Sequence, residues 1–102
     1  MLVSEIERDW LQRRVTVEQA EEESKKELAE IISDGINIKE ELRKPFGYMN
    51  KRWDELKNKI QEGDVLWEFR SPEWTWSSLC GRAGLVLLRG EEMTDFIITS
   101  LN

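Results

Sequence analysis

The residue types best suited to chemistry are few in this chain and crowd into its last third. Of five tryptophans, three fall within "VLWEFRSPEWTW" at residues 65–76: Trp67, Trp74 and Trp76. Glu68 lies inside the same stretch, and Arg82 follows shortly after. An acid beside a guanidinium in a tryptophan-walled pocket can serve as a general acid, provided apolar walls raise its pKa. The same two residues also read as a plain structural ion pair. Trp74 near Arg82 suggests another use, because tryptophan and arginine are enriched at binding hot spots. An exposed Trp74 would anchor a partner; a Trp74 lying flat over the domain's own edge would not. Trp67, Trp53 and Trp76 together offer a third possibility, the wall of a small-ligand pocket.

Other chemistries are closed off by composition. There is no histidine, so neither a Ser-His-Asp triad nor a Cys-His pair can form within the chain. The single cysteine, Cys80, can build neither a zinc cluster nor an internal disulfide. "GRAG" at residues 81–84 is too short for a dinucleotide fingerprint, and no phosphate-binding Gly-x-x-x-x-Gly-Lys-Ser/Thr loop occurs. Cys80 is expected near a helix C-terminus, whose negative partial charge opposes a thiolate, and is read as buried and inert. No cofactor and no metal is expected.

The 102 residues suit one domain spanning 1–102. Net charge is −6, which repels phosphate backbones and anionic membranes and disfavours both as partners. Residues 39–59 run against that trend with seven basic and four acidic side chains, a pattern expected of a solvated helix face. No run approaches the ~18 apolar residues of a membrane span. The start, "MLVSEIERDW", lacks a basic region followed by an apolar stretch, so no secretory signal is read there. With one cysteine, the chain suits a reducing compartment, and a cytoplasmic location is expected.

The elements that must position these side chains fall into two groups. Residues 1–62 read as mainly helical and 64–102 as mainly strand. "SEIE" at residues 4–7 has the form of a capping box, opening a helix over about 6–14. "TVEQ" at residues 16–19 offers a second box. Behind it Val17, Ala20, Ser24, Leu28 and Ile31 or Ile32 form one narrow apolar stripe, stopped by "SDG" with Gly35 just past the end. One long helix over 3–31 is the rival reading. Either way this segment is thinly apolar and calls for a covering surface, a second copy included. Asn37 is placed to cap a short turn through "IKEELRK" before Pro45. Phe46, Met49, Trp53, Leu56 and Ile60 then recur at spacings of three and four, the clearest amphipathic helix in the chain.

From residue 65 the period becomes two. "VLWEFR" reads as strand one, Leu85–Arg89 as strand two and Met93–Leu101 as strand three, with a turn at Gly90. Strand two is apolar on both faces and belongs mid-sheet. Between strands one and two, Ser71 is placed as N-cap, Pro72 as first helical residue and Gly81 as the stop. On that short helix Trp76 faces the core with Leu79, while Trp74 points elsewhere. The expected fold is α+β: N-terminal helices on one face of a C-terminal three-stranded antiparallel sheet.

"GDVLWEFRSPEWTWSSLCGRAGLVLLR" with "DFIITSLN" resembles a pattern in uncharacterised small bacterial proteins. The matching positions are Gly63, Asp64, Trp67, Phe69, Ser71, Pro72, Trp76, Leu79, Gly81, Arg82, Gly84, Thr99 and Asn102. The likeness spans about residues 63–102, brings no activity with it, and passes over Trp74.

The leading functional expectation is a non-enzymatic protein-binding or adaptor domain. It would act through its acidic helical face or the Trp74–Arg82 surface, on a basic partner or on a second copy through its N-terminal helices. A small-ligand domain with a tryptophan-lined pocket is the alternative, and an acid–base enzyme using Glu68 and Arg82 the remote one. The site candidates are therefore Trp74, Arg82, Glu68 and Trp67.

Overall fold

The computed structural model describes residues 2–102. Strands β1 (Leu11–Val15), β2 (Val65–Arg70), β3 (Arg82–Arg89) and β4 (Glu92–Leu101) form one antiparallel sheet in the order β1-β2-β3-β4. Helix α1 (Val17–Ser33) follows β1, α2 (Asn50–Asn58) precedes β2, and the short α3 (Glu73–Ser77) joins β2 to β3. The class is α+β, as expected, but the sheet has four strands instead of three. Its helices do not all come first, because α1 follows a strand.

The extra strand lies where a first helix was expected. Residues 6–14 carry only a 3-10 turn, Arg8–Trp10, and then pair with β2 from Leu11 to Val15. Pairing overrides the local helical signal because it lets Ile6 and Trp10 bury against the sheet, at 5% and 9% exposure. The Ser4–Glu7 box does not form among the described residues; Glu5 accepts the Leu2 N–H instead and closes a turn over Val3–Glu5 only. The single long helix over 3–31 is excluded by the same strand.

The box at Thr16 forms as read. Gln19 N–H donates to Thr16 Oγ1 at 3.0 Å, and Thr16 N–H donates to Gln19 Oε1 at 2.8 Å. The Asn37 cap does not form; a 3-10 turn at Glu40–Leu42 follows Lys39 instead. In the next segment Phe46 takes a left-handed conformation (φ 65°), so the helix begins only at Asn50. All five stripe residues nonetheless meet one cluster, where Trp53 and Leu56 are fully buried and Phe46, Met49 and Ile60 pack around them.

Alternation along the strands divides the core in two. Leu66, Leu85, Leu87 and Ile97 face α1 and α2, with Val15, Ala20, Trp53 and Leu56. Phe69, Val86 and Leu88 face the opposite way, covered by Ile6 and Trp10 of the N-terminal segment. β3 is buried from Gly84 to Leu88, which fits its interior place between β2 and β4. Among the described residues no helix is long and apolar enough to cross a membrane.

Candidate functional site

The four sequence-derived candidates do not converge. Glu68 faces the helices and pairs with Arg13 of β1, at 2.9 Å from Nε and 2.7 Å from Nη2. Arg13 also bonds Glu23 of α1. The Arg13 hydrogen bonds hold the Glu68 carboxyl below its ordinary range, although partial burial alone would raise it. A general acid needs the opposite shift. Arg82 lies on the other face, 3.3 Å from Glu5. The expected Glu68–Arg82 pair is therefore absent, because the two side chains leave opposite sides of the sheet. Trp67 is half-buried with Ile6 and Trp10 on that second face.

The tryptophan-lined pocket does not form either. Trp53 points from α2 into the core against the sheet, Trp67 is on the opposite face, and Trp76 follows β2 in α3. Trp76 is only half-buried: its Nε1–H donates to Ser71 C=O at 3.1 Å, and the Arg70 guanidinium stacks 4.1 Å above its ring. Trp74 is 66% exposed. Leu79, expected in the core with Trp76, is 78% exposed and left-handed (φ 61°), so α3 ends before Gly81 can stop it. Cys80 is exposed, not buried, because the same early ending turns it outward. Ser71 is buried but does not cap α3. Its hydroxyl meets Thr75 Oγ1 at 2.6 Å and accepts the Arg82 N–H at 2.8 Å, while Pro72 takes the N-cap position.

These residues build a closed corner between β2 and β3. A Cβ on Gly81 would overlap the Trp76 indole, and one on Gly84 would overlap the Ile97 carbonyl. Asn102 accepts the Gly81 N–H at 2.7 Å and donates to Trp76 C=O. The motif positions Ser71, Trp76, Gly81, Arg82, Gly84 and Asn102 therefore have architectural roles.

The concave surface lies elsewhere, on the helix-bearing face. α1 is tied down only over its first half. Val17 and Ala20 pack on the core there, and Glu21 accepts Trp53 Nε1–H at 2.9 Å and Lys57 Nζ at 2.8 Å. Those two bonds hold the Glu21 carboxyl below its ordinary range. Ser24 Oγ accepts the Phe46 N–H at 2.8 Å and pins the 44–49 loop beside the helix. Beyond Ser24 every α1 residue except Leu28 is exposed. Among the described residues, no side-chain hydrogen bond or ion pair links residues 25–36 to another element.

An open groove of about 610 Å³ results. Its apolar lining includes Leu28 and Ile31 from α1, Phe46 and Met49 from the loop, and Leu85 from β3. Glu23, Glu27 and Glu68 also line it, with Lys44 and Arg70. Two of its apolar lining residues are open to solvent, Ile31 at 39% and Tyr48 at 83% exposure, and Ile32 and Ile36 near the end of α1 are also exposed. Of the four candidates, only Glu68 touches this groove. Sequence reasoning missed Phe46, Tyr48, Met49 and Leu85 as site residues. The available signal was the thin α1 stripe, which had more apolar residues than a short contact could cover.

No protein-family model, curated protein or solved structure matches this chain. The functional reading therefore stands on the geometry.

Proposed function

We propose that the protein is a non-enzymatic adaptor that docks an amphipathic, basic segment of a partner protein in the α1–loop groove. The carrying observation is the groove itself, apolar within and walled on one side by α1. That helix has six glutamates against two lysines. Apolar side chains of the partner would fill the space over Met49 and Leu85, and its lysines or arginines would meet α1. Burial of the apolar lining supplies affinity, and the carboxylates supply orientation and encounter rate. Glu23 and Glu68 are already shared on Arg13, which leaves Glu27 as the lining carboxylate outside any ion pair among the described residues.

A small-molecule ligand is the second reading, favoured by the volume, which falls in the range of ligand sites, ~300–1,000 Å³. It would sit among Phe46, Met49 and Leu85, not among tryptophans. Ile31 and Tyr48 line the groove and are themselves exposed, by 39% and 83%, an open apolar rim that supports a macromolecular occupant. The single cysteine is in keeping with a cytoplasmic setting, and the resemblance over residues 63–102 with a bacterial one.

The test is a labelled leucine–lysine amphipathic peptide followed by fluorescence anisotropy. The account expects binding that weakens with salt, falls sharply in Leu28→Asp, and falls modestly in Glu27→Lys. Equal binding by wild type and Leu28→Asp would place the interaction elsewhere and reject the groove.

A further inference from the structure

The free edge of the sheet stands apart from the groove. β4 closes the sheet order, so one side of its backbone has no strand partner. It runs ten residues, "EMTDFIITSL", with no lysine, arginine or proline and only Glu92 and Asp95 charged. Such an edge is a template for another strand unless something blunts it. The opposite edge, β1, is half as long and carries Arg13 and Arg14.

β4 steps out of register with β3 at Thr94 and at Thr99, and the stretch between those bulges is capped at Phe96. Asp95 Oδ1 accepts the Phe96 N–H at 2.9 Å, and Arg52 Nη2 donates to the Phe96 carbonyl at 2.7 Å. The two side chains also pair with each other, through Arg52 Nη1 and Asp95 Oδ2 at 3.2 Å and through a second, shorter bond. Lys59 sits 3.4 Å from the same carboxylate, and Glu55 steadies Arg52 at 4.0 Å. The carboxylate and the guanidinium thus hold the donor and the acceptor that a neighbouring strand would use at Phe96. An antiparallel pairing of β4 with the β4 of a second copy would have its two-fold axis near this residue, because Phe96 lies at the strand's centre.

We propose that Arg52 and Asp95 form a latch over the edge of β4, and that opening it lets a second copy add its β4 to make a continuous eight-stranded sheet. The latch guards the stretch of edge that lies between the two bulges. A change that removes either side chain from Phe96 exposes the template.

Two variants test this by sedimentation velocity across a wide concentration range, with circular dichroism to verify folding. Asp95→Ala uncaps the Phe96 N–H, and Arg52→Met uncaps its carbonyl. Each is expected to self-associate about ten-fold more tightly than wild type or more. Adding Phe96→Pro removes the outward N–H and places a ring on the edge, so it should reverse the gain. Should Asp95→Ala fail to fold, the half-exposed Arg52→Met decides alone. Folded variants with wild-type association would overturn the latch. So would a gain that survives Phe96→Pro, since the contact would then lie off the strand edge.

Discussion

The corner between β2 and β3 and the groove between α1 and the 44–49 loop lie at the same end of the sheet and differ in almost every physical respect. At the corner the buried polar groups are partnered: Ser71 serves Thr75 and Arg82, and Asn102 serves Gly81 and Trp76. Its glycines leave no room for a methyl group. The groove has one backbone tie, from Phe46 to Ser24, and beyond it an apolar helix face without a cover. The residues most crowded into a recognisable pattern are thus the ones that build the fold. The surface open for binding lies where packing is incomplete, beside core residues such as Leu85, Phe46 and Met49 that α1 leaves uncovered.

Substitutions separate the two regions by their effect on stability. The largest loss is expected at Gly84→Ala, because the new methyl group meets backbone and not a movable side chain. The β3–β4 pairing must part there, at a cost of about 3 kcal/mol or more. Chemical denaturation measures it, and a loss below about 1 kcal/mol would show the close approach to be relaxed. Ser71→Ala comes next. It leaves the Arg82 N–H without its acceptor in a buried site, an expected loss of about 1–3 kcal/mol by the same assay.

Acid probes the tie between α1 and the core. Lys57 and Trp53 hold the Glu21 carboxyl low, so its stabilising contribution is complete above the ordinary glutamate pKa. That contribution is lost as pH falls through the lowered folded value. Thermal melts should be level near neutrality and drop below about pH 4, with a smaller drop in Glu21→Gln. A drop of the same size in that variant would remove Glu21 from the account.

The smallest effects belong to the open surface. Tyr48→Ala and Trp74→Ala should each change unfolding free energy by no more than about 0.5 kcal/mol. Both are solvent-exposed, at 83% and 66%. A loss of ~3 kcal/mol at Trp74 would mean it packs as core.

The same contrast explains what could be read from the chain. Period-two alternation placed β2 and β4 nearly to the residue, and the Thr16 box placed α1 to its first turn. β1 was illegible because "LQRRV" has little strand character of its own; it is a strand because β2 offers an edge to it. The early end of α3 was hidden for a similar reason. Gly81 looks like a helix stop, but Trp76 claims the space above it and Leu79 takes the left-handed turn. Helical rotation alone set Trp74 off the face of Trp76, but whether it stood exposed or lay flat over the domain's edge was not legible. The Glu68–Arg82 pairing failed because facing across a sheet depends on register parity, which required knowing where β3 begins. The groove was only half legible. The surplus apolar stripe on α1 was visible, but not that Phe46 and Met49 would stand opposite Leu28 and Ile31.

The central claim, that binding belongs to the groove and architecture to the corner, is tested most directly by chemical-shift mapping. A leucine–lysine amphipathic peptide is titrated into isotopically labelled protein. The account predicts shifts concentrated at residues 24–31, 44–49 and 83–85, with 71–81 unmoved. Shifts centred on Trp74 and Leu79 instead, or none anywhere, would contradict it.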